Sequence, residues 1–179
     1  MKKLLLSLLF LTGAFTINAQ SVKFGVKGGL NFATLRGENL DVDSRTGFHV
    51  GGVAELKFSD KFSLQPELLY TELGTKNSTN ELRLNYISLP VMAKYYLIDG
   101  FSLEAGPQFS FLVKDEVETP TATIDPQTED FDLGLNVGLG YTFNNGLFIQ
   151  SRYTLGVTPV QESPDVKNGA FQLSLGYQF

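Results

Sequence analysis

The chain has 179 residues, with 14 lysines and arginines against 19 acidic residues, a net charge of −5 and no cysteine. This length suits one domain rather than two. The acidic balance argues against nucleic-acid binding, which needs clustered Lys and Arg, and a fold without cysteine must be held together without disulfides.

The first 19 residues predict a secretory signal peptide. Lys2 and Lys3 precede an apolar run from Leu4 to about Ile17, and Asn18-Ala19-Gln20 offers a small-residue cleavage point. The run is too short for a spanning helix, although an uncleaved anchor is the alternative, and no later segment has eighteen consecutive apolar residues. Residues 20–179 are then expected to form the mature domain.

Beyond the leader, apolar and polar side chains alternate with period two, which predicts β-strands. Eight runs show the pattern: 22–32, 47–58, 62–70, 82–97, 101–111, 131–143, 147–156 and 170–179. Their connections alternate between long loops and short turns, as in an all-β, eight-stranded antiparallel up-and-down transmembrane β-barrel. Within 82–97 the apolar parity changes after Tyr86, which indicates a β-bulge near that residue.

The alternation alone leaves two classes of barrel open, because a soluble lipocalin-like barrel has the same pattern with the faces reversed. Side-chain volume separates them, since an eight-stranded barrel is only just wide enough inside for side chains to fill it. The apolar set contains most of the Phe, Leu and Tyr residues, whereas the opposite set is mainly Gly, Ser, Asn and Gln with some charges. We therefore expect the apolar set to face lipid.

The aromatic residues fall near the strand ends, where membrane barrels carry two interfacial bands. The band nearest the short, periplasmic turns is predicted to contain Phe58, Phe62, Tyr95, Phe101, Tyr141, Phe143, Tyr177 and Phe179. The outer band is predicted to contain Phe32, Phe48, Tyr70, Phe111, Phe131, Tyr153 and Phe171.

Charged residues on the opposite parity are predicted to form a structural network in the lumen, because charges in a narrow interior must pair or stay hydrated. A turn centred on Asp99 sets Lys94 opposite Glu104, and a three-residue turn 144–146 sets Arg152 opposite Gly138. The other charges on this parity are Lys23, Lys27, Glu55, Lys57, Glu67 and Asp132. A small polar path or ligand site is the alternative use of the same network.

No residue pattern predicts catalysis, a metal or a cofactor. His49 is the only histidine, and the two residues after it include no serine, unlike the His-x-Ser pattern of outer-membrane lipid A deacylases. The acidic segment 114–130 lacks the oxygen-ligand spacing of a calcium loop. The glycines of Gly134-x-x-x-Gly138-x-Gly140 precede no helix, so they do not form a phosphate loop.

The mature chain resembles the PorT-type outer-membrane β-barrel family of Bacteroidota, of the OmpX/OmpA-like eight-stranded kind. The runs that carry the resemblance are 64–70, 86–96, 105–109, 134–141 and 152–156, with the junction at 18–20. The alternation of the last strand, which ends on Phe179, also resembles the closing strand of such barrels. There Tyr177 and Phe179 would belong to the signal that the insertion machinery reads.

The resemblance implies an outer-membrane location and no catalytic residue. We expect a monomeric, non-enzymatic barrel with a structural or adhesion role through its external loops, in contact with outer-membrane lipid, lipopolysaccharide or other envelope proteins. An accessory of a secretion or surface-assembly complex is the alternative, and a lipid-modifying enzyme is a third.

Overall fold

The computed structural model describes residues 22–36, 43–76, 81–118, 123–124, 129–161 and 166–179, so the predicted signal peptide lies outside the described residues. Nine β-strands are present in these ranges: β1 Val22–Arg36, β2 Asp43–Lys57, β3 Phe62–Lys76, β4 Glu81–Ile98, β5 Phe101–Glu118, β6 Thr123–Ile124, β7 Phe131–Thr142, β8 Leu147–Gln161 and β9 Val166–Gln178. The same ranges contain no helix that is long and apolar enough to cross a membrane.

The eight long strands form a closed antiparallel barrel. Each pairs with its neighbour in the chain, β7 follows β5 in the sheet, and β1 pairs with β9 to close the ring. The two-residue β6 only extends the edge of β5, through Val117 and Glu118. This confirms the predicted eight-stranded up-and-down barrel, whose closure leaves no free edge along the spanning part of the wall.

The two faces of the strands differ as predicted. Large apolar side chains such as Phe24, Leu68 and Leu175 are 55–57% exposed on the outside, while the inward positions are mostly polar and buried. Aromatic residues are register partners in several pairs of adjacent strands, with Phe32 opposite Phe171, Phe111 opposite Phe131, Phe62 opposite Tyr95 and Phe101 opposite Tyr141. Two outward aromatic bands result.

The short turns set the predicted registers. Lys94 lies directly opposite Glu104 across the turn at Asp99–Gly100, and Arg152 lies opposite Gly138. Gly146 has a φ of 89°, the left-handed conformation that closes the three-residue turn. We call this end of the barrel the turn end and the opposite one the loop end.

The predicted bulge near Tyr86 is present in the ladder between β4 and β5, but the extra residue lies in β5 and not in β4. The ladder between β3 and β4 runs in one register from Leu69 opposite Ser88 to Lys76 opposite Glu81, and both Leu84 and Tyr86 point into the lumen. The register shift beside Tyr86 belongs to β5, where Val113 has no partner in β4. The apolar parity changes in β4 because its outer half contributes apolar side chains to the interior.

The strands are longer than the alternation predicts at the loop end. The predicted loops 33–46, 74–81, 114–130 and 157–169 each lose residues to the flanking strands, most of all to β5 and β8. Beyond the outer aromatic band the outer face of a strand meets water and the inner face carries buried apolar side chains such as Leu73 and Leu84. The period-two pattern therefore fades although backbone pairing continues. The sequence pattern therefore predicts loops at positions where the strands are still paired.

Three prolines lie inside the spanning strands: Pro66 in β3, Pro90 in β4 and Pro107 in β5. A proline removes one ladder donor, which suggests local bulges. The pairing is sparse next to Pro66 and Pro90, but the register is unchanged on either side of them and of Pro107. The wall loses hydrogen bonds here without gaining an extra residue.

Candidate functional site

The middle of the lumen holds six charged side chains, which we call the ionic cluster. Three are basic and three are acidic, so their formal charges cancel, and each is at most 4% exposed. They come from six of the eight barrel strands, and their members are Lys27, Lys94, Arg152, Glu55, Glu67 and Glu104. Balanced charge and mutual hydrogen bonding are what makes such burial tolerable.

Arg152 joins two of the three carboxylates. Its Nη1 and Nη2 donate to the two oxygens of Glu67 at 2.9 and 2.6 Å, a bidentate pair. Its Nε and Nη2 lie 3.1 and 2.9 Å from Oε2 of Glu104. The aliphatic part of the Arg152 side chain passes over Gly138, where an added Cβ would lie 2.7 Å from Cγ of Arg152.

The two lysines complete the cluster. Nζ of Lys27 lies 2.7 Å from Oε2 of Glu67. Nζ of Lys94 lies 3.7 Å from Glu104 and 3.5 Å from Glu55, so the lysine is shared between the acid across the hairpin and another on β2. The strand register alone predicts that Lys94 lies opposite Glu104. The contact between Lys94 and Glu55 joins two strands that are not neighbours, so it depends on the closure of the barrel.

Uncharged partners that sequence reasoning missed satisfy the remaining groups. Glu55 accepts hydrogen bonds from Ser63 at 2.7 Å, from Tyr96 at 2.5 Å and from Gln178 at 2.7 Å. Nε2 of Gln150 donates to both oxygens of Glu104, at 3.0 and 3.2 Å. All of these side chains share the lumenal parity, which was the signal available in the sequence.

Three of the predicted network residues lie outside the ionic cluster. Lys23 is exposed and Lys57 is half-buried, both at the turn end, where Nζ of Lys57 lies 5.2 Å from the centre of the Tyr96 ring. Asp132 lies near the loop end and accepts hydrogen bonds from Asn168 at 2.7 Å and Thr158 at 3.1 Å.

His49 has polar neighbours on two other strands. Its Nδ1 lies 2.7 Å from Oδ1 of Asn31, and its Nε2 lies 2.8 Å from Oγ of Ser174. Gly29 lies between His49 and Ser174 in the sheet and leaves room for the contact. The order of groups resembles a nucleophile, a base and an orienting amide, but His49 is 1% exposed and Ser174 7%.

Apolar side chains cover the cluster towards the loop end. Five buried residues pack there with Leu112 and form what we call the outer cap: Ala33, Leu73, Leu84, Tyr86 and Ala170. On the other side of the ionic cluster, Phe148 is 1% exposed, and its ring occupies the space above Gly176.

A cavity of about 620 Å³ opens at the turn end, and we call it the turn-end cup. Three lysines line it, Lys23, Lys57 and Lys61, together with Asp60, Asp99 and buried Glu55. Its inner wall is formed by Tyr96 and Gln178, which hold Glu55.

The two predicted insertion-signal residues lie at the turn end of the outer face. Tyr177 is 47% exposed and Phe179 is 74% exposed, and the backbone N–H of Phe179 donates to the carbonyl of Phe24 at 2.9 Å. Among the described residues there is no group of three or more His, Asp or Glu side chains that could hold a metal ion. Within the acidic segment 114–130, residues 119–122 and 125–128 lie outside the described residues.

Comparison with known families identifies the class of protein. Residues 18–162 match the model of the outer membrane protein beta-barrel domain family, which is more than half of the chain. The chain therefore belongs to this family and is an outer-membrane β-barrel of a Gram-negative bacterium. No curated protein sequence matches it.

Solved structures of outer-membrane barrels share the fold at low sequence identity. Ail, the attachment invasion locus protein of Yersinia pestis, is 17% identical, with a TM-score of 0.60 over 88% of this chain and 98% of Ail. Neisserial surface protein A is 14% identical, with a TM-score of 0.61 over 89% and 100%. OprG from Pseudomonas aeruginosa is 13% identical, with a TM-score of 0.52 over 89% and 97%.

Proposed function

We propose that this protein is a non-enzymatic outer-membrane barrel with a structural or adhesion role, which it performs through the extracellular rim of its wall. The observation that carries the proposal is the length of β4 and β5, which stay paired from the outer aromatic band at Phe111 up to Glu81 opposite Glu118. Strands that continue past the hydrocarbon present a firm surface to water, on which lipopolysaccharide or another envelope protein can dock.

In this proposal the ionic cluster is structural. Its six charges pair with each other, and the outer cap closes the lumen above them, so the interior serves to hold the wall and not to move a solute. The protein works as a monomer, and Tyr177 and Phe179 form the part of the closing strand that the insertion machinery recognises. Residues 1–19 direct export and are removed.

A second candidate is an accessory of a secretion or surface-assembly complex, in keeping with a place in the PorT-type branch of Bacteroidota barrels. The turn-end cup favours it, because short turns are periplasmic in such barrels. The cup would then receive an acidic segment of a periplasmic partner at Lys23, Lys57 and Lys61. In that case the barrel is a scaffold, and its working surface is the periplasmic one.

Single cysteines separate the two candidates, because the chain has no cysteine of its own. Val113→Cys lies at the extracellular rim and Asp60→Cys in a periplasmic turn, and both positions are exposed. Each variant, carrying a photoactivatable cross-linker in intact cells, is analysed for adducts by mass spectrometry. The rim proposal predicts adducts of lipopolysaccharide or an envelope protein at Val113→Cys, whereas adducts only at Asp60→Cys would favour the periplasmic scaffold.

A further inference from the structure

The lipid-facing wall contains a groove of about 480 Å³. It begins at the turn-end aromatic band, beside Phe101 and Tyr141, and crosses β7, β8 and β9 to reach Gly28 on β1. Its walls are apolar side chains that are 38–55% exposed: Leu30, Leu139, Tyr141, Ile149, Leu173 and Leu175.

Two small residues create this groove. Ser151 lies between Leu139 and Leu173 in the sheet, and Gly28 lies between Leu175 and Val50. All four flanking side chains are large and point outward, so a strip of the wall is set back by the height of a side chain. Nothing in the fold requires a small residue at Gly28, where an added Cβ would make only ordinary contacts, the nearest at 3.4 Å.

We propose that this groove binds one acyl chain of a phospholipid from the periplasmic leaflet. The groove faces the hydrocarbon of the membrane, and its apolar lining gives a chain lying in it contacts that a flat wall does not give. It starts at the periplasmic aromatic band, where the headgroups of that leaflet lie, and extends to Leu30 and Leu173, one outward position short of the outer aromatic pair Phe32 and Phe171. The phenol of Tyr141, at the interfacial end, lies where a headgroup would be.

Other occupants fit the groove less well. A symmetric dimer places the same patch of both copies face to face, and a concave patch against itself leaves a void that destabilises the contact. A transmembrane helix has a diameter of about 10–12 Å, which is wider than a strip one side chain across. This inference depends on the lipid-facing orientation of the wall and not on the proposed role of the rim.

Photo-cross-linking tests the proposal. The protein is refolded into phosphatidylethanolamine vesicles that contain a small fraction of phosphatidylethanolamine with a diazirine in one acyl chain, and adducts are mapped by mass spectrometry. Ser151→Phe fills the groove, and Gly28→Leu does so from the other end. Gly52→Phe is the matched control, because Gly52 also faces outward, would have its nearest heavy atom 3.9 Å from an added Cβ and does not line the groove.

We expect adducts at Ile149 and Leu173 in the wild type. The yield of these adducts should fall by about ten-fold in either filled variant and stay unchanged in Gly52→Phe. A ten-fold decrease is the change in occupancy expected when about two methylene groups lose their contacts. Equal labelling around the whole wall at this depth, or no decrease in the filled variants, would contradict the proposal. So would cross-linked dimers in place of lipid adducts.

Discussion

Arg152 holds two buried carboxylates in place at once, so its removal is the most damaging single change that we expect in the lumen. Arg152→Met keeps much of the side-chain volume but removes the charge-assisted hydrogen bonds that the guanidinium donates to Glu67 and Glu104. Breaking a buried ion pair from one side costs about 3–5 kcal/mol. Urea unfolding from lipid vesicles should show this loss.

The double variant Arg152→Met, Glu67→Gln is the control for a specific charge effect. It removes one acid along with the base and should recover part of the lost unfolding free energy, because the net charge of the cluster returns to zero. An Arg152→Met protein that unfolds at the wild-type urea concentration would show that these contacts contribute little.

Because Gly138 has no side chain, it leaves the space that the Arg152 side chain occupies. A Cβ at this position would lie 2.4 Å from the carbonyl oxygen of Ser151 and 2.7 Å from Cγ of Arg152. Gly138→Ala should therefore destabilise the barrel by about 1–3 kcal/mol through overpacking. Gly52→Ala, with its nearest atom 3.9 Å away, should unfold like the wild type in the same assay.

The contact between His49 and Ser174 can be tested directly for catalysis. Both side chains are buried in the lumen, so we expect Ser174 not to react with a fluorophosphonate probe in the folded protein. We also expect cells that carry a normally folded His49→Ala variant to contain the same lipid A as cells that carry the wild-type protein. Labelling of Ser174 that is lost in His49→Ala would instead revive the lipid-modifying enzyme.

At the scale of the strands, the sequence predicts the spanning part well and the loop end poorly. The period-two alternation identifies all eight barrel strands, and two of the three short turns give the registers at Lys94 and Arg152. The alternation fails at the loop end, where the outer face of the wall no longer meets lipid and the inner face is no longer mainly polar. Leu84 and Tyr86 look like lipid-facing residues in the sequence, but they close the interior.

The ionic cluster could be predicted only in part, for a related reason. Lumenal parity selects its six members, but parity also selects Lys23 and Lys57, which lie at the open turn end. Contacts between strands that are not neighbours, such as the one between Arg152 on β8 and Glu67 on β3, arise only when the sheet closes.

The strand extension at the loop end leads to a labelling prediction. Val113, in β5 above the outer aromatic band, is 59% exposed, whereas Leu89 faces outward between the bands and Leu84 is fully buried. A membrane-impermeant maleimide should therefore label Val113→Cys in whole cells and leave Leu89→Cys and Leu84→Cys unlabelled. Strong labelling of Leu84→Cys would show that the outer cap is open to water.

At the scale of the whole molecule, the filled lumen predicts a barrel that does not conduct. Side chains of the ionic cluster occupy the centre, the outer cap lies on one side of them and Phe148 on the other. In planar lipid bilayers we expect no discrete current steps, even after Leu84→Ala and Tyr86→Ala together remove much of the outer cap. Steady current steps in the wild-type protein would mean that the lumen is a path.

The central claim is a closed barrel whose bulky apolar face meets lipid, and heat-modifiability on a gel tests it most directly. The mature protein, refolded in detergent micelles, is run with and without boiling, and its circular dichroism is recorded before loading. We predict a β-rich spectrum and a faster-migrating unboiled band, because a closed ladder resists the detergent until it is heated. The same mobility with and without boiling, from a protein that is a monodisperse monomer in plain buffer, would contradict the claim.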